Sequence, residues 1–259
     1  MKKILVTGGA GYIGSHVAHM LAERGFVPII YDNLSTGFKD FVENFDFIEG
    51  DIGDYQRVRN VLESHDIACV MNFASYIAVG ESVNYPMKYY DNNVAKTFTM
   101  FQAMIDKNVK NFIFSSSAAV YGNPDEVPIK EDSRLHPESP YGKTKYFIEE
   151  VLRDLDVSDQ FRSVSLRYFN AAGADPSGEM GEGHVPETHL IPLVIRAVLD
   201  PSYSITIFGT DYDTPDGTCV RDYIHVNDLA MAHVLALENL LNYPVTKVYN
   251  LVKGLGFSV

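Results

Sequence analysis

Three residues in this chain are of types and at spacings that could do acid–base chemistry. Ser117 lies in Ser115-Ser116-Ser117-Ala118-Ala119-Val120-Tyr121-Gly122, and Tyr141 and Lys145 lie in Ser139-Pro140-Tyr141-Gly142-Lys143-Thr144-Lys145. Tyr141 follows a proline and opens a stretch to Glu150 that reads as a helix, so Tyr141 and Lys145 stand one turn apart on one face. A phenol ionises near pH 10, and bringing it to about 7, where it serves as a base, takes roughly 4 kcal/mol. A lysine ammonium one turn away, with the positive charge of an oxidised nicotinamide, could supply that. The same spacing recurs at Tyr243 and Lys247, but Pro244 interrupts it and argues against a helix there. Upstream stands a glycine-rich turn, Thr7-Gly8-Gly9-Ala10-Gly11-Tyr12-Ile13-Gly14. Together these pieces point to a nicotinamide cofactor and the movement of a hydride and a proton at a carbinol carbon.

These side chains need a scaffold, and the rest of the sequence describes one. Strands are expected at residues 3–7, 27–31, 46–49, 69–73, 111–115 and 163–167, with helices between them, including 13–23 and 87–107. In the second helix Val94, Phe98, Phe101 and Ile105 repeat at helical spacing. Strands alternating with helices imply a doubly wound parallel α/β sheet, and apolar runs without alternation fit strands covered on both faces. The glycine turn joins the first strand to the first helix. Gly9, Gly11 and Gly14 fit G-x-G-x-x-G, and Gly8, Gly11 and Gly14 fit a wider spacing, which brings N–H groups to a pyrophosphate at a helix start. Asp32 ends the second strand, where its carboxylate would accept from ribose hydroxyls and repel a 2′-phosphate, favouring NAD over NADP. Ser117 follows the fifth large strand, at the carboxyl end where such sheets bind ligands. After Asn170, residues 171–188 are rich in Gly, Pro and acidic side chains and read as an irregular excursion between lobes.

Composition removes several function classes. With 259 residues, 46% hydrophobic and 21% charged, the chain has room for one large domain and a smaller lobe. Its net charge of −13 argues against nucleic acid or an anionic membrane as a partner. Cys69 and Cys219 suggest neither a disulfide framework nor a metal site. No apolar run reaches membrane-spanning length, and a cytoplasmic location is expected.

On its motifs the chain resembles the extended short-chain dehydrogenase/reductase family, and within it the enzymes that epimerise sugar nucleotides. The resemblance rests on residues 6–16, Ala78-Val79-Gly80-Glu81-Ser82, Tyr89-Tyr90-Asp91-Asn92-Asn93, residues 115–122, Leu166-Arg167-Tyr168-Phe169-Asn170 and Arg221-Asp222-Tyr223-Ile224-His225-Val226. Related dehydratases place acidic residues beside the catalytic hydroxyl, whereas here Ser117-Ala118-Ala119 follows the strand, which favours an epimerase. What the resemblance implies is a Rossmann-type NAD-binding domain over residues 1–169 and a smaller sugar-nucleotide lobe over 170–259, incomplete at its C-terminal end. It implies that Gly8, Gly11, Tyr12, Ile13 and Gly14 hold the pyrophosphate, that Asp32 and Asn33 hold the adenosine ribose, and that Ser35, Thr36 and Gly37 also bind the cofactor. Asp51 and Ile52 would border the adenine. Phe73, Ala74 and Ser75 would line the cleft, and Asn92, Phe169, Tyr141 and Lys145 the nicotinamide side. Ser117 and Tyr141 would act on the sugar, with Asn170, His189 and Leu190 at the diphosphate and Phe208 at the uracil. Arg221 would pair with the diphosphate, or alternatively with Asp222.

The activity implied is interconversion of UDP-glucose and UDP-galactose by inversion at C4, in a homodimer paired through helices near 87–107 and 141–155. The open alternatives are another NAD-dependent epimerase or dehydratase acting on sugar nucleotides, and an NAD-binding form with little activity. Ile77 departs from the lysine that family members often carry, and His189 stands where some have asparagine. The sequence stops after Gly256-Phe257-Ser258-Val259, where Ser258 reads as the cap of a helix.

Overall fold

The computed structural model describes residues 1–254 and 256–258. The first strand, β1 (Lys3–Thr7), carries Ile4, Leu5 and Val6, all fully buried because helices cover both faces of the sheet. The alternation continues through α1 (Tyr12–Glu23), β2 (Val27–Asp32), β3 (Asp46–Glu49), α2 (Tyr55–His65) and β4 (Ile67–Asn72). Two short helices, α3 (Val79–Asn84) and α4 (Pro86–Tyr90), lead through a π-helical turn at Asp91–Ala95 into α5 (Lys96–Asp106). Then come β5 (Asn111–Ser117), α6 (Pro140–Val157), β6 (Arg162–Tyr168) and β7 (Asn170–Ala172). The chain ends with α7 (Leu190–Leu199), β8 (Val220–His225), α8 (Val226–Asn242), β9 (Lys247–Leu251) and β10 (Gly256–Ser258).

Seven strands pair in parallel in the order β3-β2-β1-β4-β5-β6-β9, and β10-β8-β7 form a small second sheet. Ile4 and Val6 point to the face covered by α1 and α8, where Val17, Leu21, Leu229 and Leu237 join them. Leu5 points to the other face, against Leu62 of α2, Phe101 of α5 and Ile148 of α6. The chain builds outward from β1 in one direction and from β4 in the other. That reversal opens a crevice at the carboxyl ends of β1 and β4.

Two expectations change. The helix expected over 87–107 is interrupted, because the wider π-helical turn lets Asn93 accept from the Tyr76 N–H at 2.9 Å and donate to its carbonyl at 3.0 Å. The lobe expected over 170–259 is not a separate unit. β9 pairs with β6 at the edge of the large sheet and α8 packs on α1, because their apolar faces complete that layer. Ser258 pairs with Val220 between β10 and β8. The excursion after β7 is irregular up to α7, as its composition suggests.

Candidate active site

β1 ends against β4, and the chain must turn sharply there to enter α1. Gly8 makes the turn at φ +70°, where a Cβ would stand 2.4 Å from the Ala74 nitrogen. α1 starts after Gly11 with no side-chain cap, so its first-turn N–H groups are presented to an anion. Asp32, at the end of β2, accepts from Ala10 N–H at 2.9 Å and from Leu34 N–H at 2.8 Å. Burial pushes this carboxyl above its ordinary range, and the backbone donors pull against that. The residue read as a ribose acceptor is therefore also the brace of the glycine turn. Asp51 accepts from Lys96 at 2.7 Å, Gly53 N–H at 2.8 Å and Asn33 at 3.0 Å. Burial works against its charge, but these donors outweigh it and hold the carboxyl low.

A cleft lies at these strand ends. Gly8, Gly11, Asp32, Asn33, Ser35, Thr36, Asp51, Ile52, Phe73, Ala74, Ser75 and Asn92 line it, as does the unforeseen trio Tyr31, Gly50 and Tyr76. Tyr12, Ile13 and Gly14 stand behind it at the start of α1, Gly37 packs on Ala10, and Phe169 lies between β6 and β7. An anion-binding helix start at one end and ionised carboxylates at the other fit the pyrophosphate and ribose hydroxyls of NAD.

The catalytic candidates stand on two elements that approach closely. Ser139 caps α6 by accepting from Gly142 N–H at 3.1 Å, and Pro140 presets the first turn. A Cβ on Gly142 would lie 2.6 Å from the Ala119 carbonyl, so only glycine lets α6 approach the turn that follows Ser117. The Tyr141 N–H donates to buried Ser82 at 3.2 Å, and Ser117 lies close enough to act on the Tyr141 phenol. Lys145 donates to Ser75 at 2.9 Å and to the Ser115 carbonyl at 2.8 Å, with its ammonium 5.7 Å from the Tyr141 ring centre. Ser75 belongs to the cleft wall, so Lys145 ties the catalytic pair to the cofactor site. Tyr243 ends α8 and Lys247 opens β9, so the second Tyr–Lys pair is not helical.

Burial sets the electrostatics of this pair. Burial pushes the Tyr141 phenol up, and Ser117 alone pulls it down. Burial also lowers Lys145 to about 7, so the lysine is itself easily neutralised. Desolvation is the leading influence on both groups, and it opposes the charged form of each.

Beneath this pair runs a network that the motif reading missed. Glu149, one turn beyond Lys145, accepts from Arg167 Nε at 2.9 Å and from the Ser116 hydroxyl, and Arg167 also donates to the Tyr121 hydroxyl at 2.8 Å. The Glu149 and Arg167 side chains are both 1% exposed. Nothing in the sequence singles this pair out, because α6 carries Glu150, Arg153, Asp154 and Asp156 beside Glu149, and β6 carries Arg162 beside Arg167.

The nominated substrate residues are dispersed. Asn170 donates to the Asp222 carbonyl at 2.8 Å. His189 precedes the first turn of α7, and Leu190 opens it. Glu182 leads the groups that raise the His189 ring above its ordinary range, with Glu187 also contributing. Phe208 is exposed, and Arg221 donates to the Val220 carbonyl at 2.9 Å rather than to Asp222.

The sequence pattern of the NAD dependent epimerase/dehydratase family matches residues 4–251. The chain belongs to this family. Among its curated members, UDP-glucose 4-epimerase of Rhizobium meliloti is 51% identical over 256 residues, covering 99% of this chain and 78% of that protein. The Bacillus subtilis UDP-glucose 4-epimerase is 46% identical, covering 99% and 78%. A UDP-glucose 4-epimerase of Brucella ovis, solved in complex with NAD, matches with a TM-score of 0.95 at 48% identity, over 100% of this chain and 79% of that one. The Bifidobacterium longum enzyme, solved with NAD+ and UDP, matches with a TM-score of 0.95 at 40% identity, over 99% and 80%. In this NAD dependent epimerase/dehydratase family member, the glycine turn and Asp32 line the cleft at the sheet's switch point, and Lys145, on the helix of Tyr141, reaches it through Ser75.

Proposed function

We propose that this protein interconverts UDP-glucose and UDP-galactose by inverting the sugar C4 centre, with NAD held as a prosthetic group. The observation that carries the reading is the joint placement of Tyr141, beside Ser117, and Lys145, hydrogen-bonded to Ser75 in the cofactor cleft. The relatives named above, several solved with NAD, support it.

Tyr141 takes the proton from the 4-hydroxyl while Ser117 steadies that oxygen. Both are held by the capped start of α6 and the close approach at Gly142. Bound NAD supplies a reversible hydride acceptor and a positive charge beside the phenol, so the centre is inverted without net oxidation. Lys145 fixes the spacing between the cleft wall and β5 through its two hydrogen bonds. Asp32 brackets the ribose, while Asn170, Leu190 and Arg221 serve the diphosphate and Phe208 the uracil.

We also assign a homodimer, supported by the exposed apolar side chains Val83, Met87, Phe98 and Phe147 on helices α3 to α6. A cytoplasmic setting suits the thiols of Cys69 and Cys219, neither of which is in a disulfide among the described residues. The test is incubation with UDP-galactose and no added reductant. UDP-glucose as the sole product supports the reading, and a deoxy-keto sugar or no turnover refutes it.

A further inference from the structure

Between β7 and α7 the chain brings two glutamates and two histidines together outside the cofactor cleft. His189 Nδ1 lies 2.9 Å from Glu182 Oε1 and 2.9 Å from Glu187 Oε1. His184 Nδ1 lies 3.6 Å from Glu182 Oε1 and 3.8 Å from Glu187 Oε2. One donor atom from each of the four falls within 4.8 Å of all the others. Around a tetrahedral zinc ion with N and O ligands at about 2.0–2.2 Å, neighbouring donor atoms stand about 3.4 Å apart. The measured edges straddle that length.

Hydrogen bonding alone does not account for the cluster. His184 Nδ1 is shielded from solvent and has no hydrogen-bond partner, although it faces two carboxylates. The Glu182 side chain is 6% exposed and that of Glu187 17%. Among the described residues, neither carboxylate pairs with a lysine or an arginine. Two half-buried carboxylates this close need positive charge between them. A charged His189 would serve both glutamates but would leave His184 Nδ1 stranded. A cation at the centre satisfies all four donors.

We propose that Glu182, His184, Glu187 and His189 form a divalent-cation site of the zinc type. Mixed imidazole and carboxylate donors suit zinc, whereas magnesium and calcium take oxygen ligands. The cation would cross-link residues 182–189 immediately before α7. The His184 ring meets Tyr12 edge-on at 6.3 Å, and the Tyr12 hydroxyl donates to the Gly173 carbonyl at 2.6 Å. The site would therefore fasten the start of α7 to the helix that follows the glycine turn. It does not depend on the reading of the substrate.

The test uses the purified chain after dialysis against a chelator. Zinc chloride is titrated by calorimetry, and cobalt chloride is followed by visible absorption. One zinc per chain is expected, with the intense cobalt bands of a four-coordinate site. His184→Ala and Glu182→Gln should each weaken zinc binding by more than the roughly 10- to 100-fold that loss of an outer-shell partner costs. Bound NAD, measured after denaturation, checks that the variants fold. Absence of stoichiometric zinc, weak octahedral cobalt bands, or affinity unchanged in both folded variants would overturn the site.

Discussion

The sheet that carries Tyr141 and the stretch from α7 to β8 are built in opposite ways. In the first, Ile4, Leu5, Val6 and Phe112 are wholly buried, and the ion pair of Glu149 with Arg167 lies inside the core. In the second, α7 buries none of its ten residues, Val198 and Leu199 are 78% and 79% exposed, and Phe208 is 84% exposed. The difference teaches that the proton-moving groups are held by packing that needs no substrate. The residues nominated for the nucleotide end stand on elements that little else holds. Perturbations should therefore be severe in the sheet and slight in α7.

The sharpest break of this contrast is Tyr141→Phe. It removes the proton acceptor and leaves the cleft lining intact, so turnover should fall by about 10²- to 10⁴-fold while NAD stays bound. Steady-state kinetics with cofactor content measured on the same sample checks this, and a loss of only a few-fold would remove Tyr141 from the chemistry. Next in size is Glu149→Ala, which strands the Arg167 guanidinium in the core. Denaturant unfolding should show a loss of about 3–5 kcal/mol, as expected when one partner of a buried pair is removed. A loss below 1 kcal/mol would mean that the pair is hydrated.

Lys145 sharpens the comparison through pH. Burial lowers its folded value to about 7, whereas the unfolded side chain ionises near 10.4. Between these values the unfolded state binds more protons, so stability rises with pH. From pH 7 to 9 the protein should gain about 2–3 kcal/mol relative to Lys145→Met, at 1.36 kcal/mol per pH step. Parallel curves for the two proteins would show a charged lysine in that pocket. The smallest effect belongs to Val198→Ser on α7, where an exposed position should change stability by less than about 0.5 kcal/mol. A larger loss, read from the same unfolding curves, would show that α7 is packed after all.

What could be read ahead of the structure was local. Gly8 and Gly11 stand in the one turn that joins β1 to α1, and Asp32 ends the strand that follows that helix. Tyr141 and Lys145 share a helix face by spacing alone. Their partners were not legible, because Ser82, Ser75 and the Ser115 carbonyl reach them only through tertiary packing. Gly142 looked like an ordinary helix residue until Ala119 was found against it. The return of α8 and β9 to the large sheet was hidden for the same reason, since strand order is decided by which faces remain to be covered. The desolvation of Tyr141 and Lys145 was not legible either, because spacing carries no information about burial.

The central claim is that Tyr141 and the NAD cleft act on one carbon, C4 of a UDP-sugar, and return to it what they remove. UDP-galactose carrying deuterium at C4, incubated without added cofactor or reductant and followed by NMR, tests this most directly. The account predicts UDP-glucose with the deuterium still on C4, because the same hydride leaves and returns within one bound complex. UDP-glucose formed with protium at C4, or UDP-galactose recovered unchanged, would contradict it.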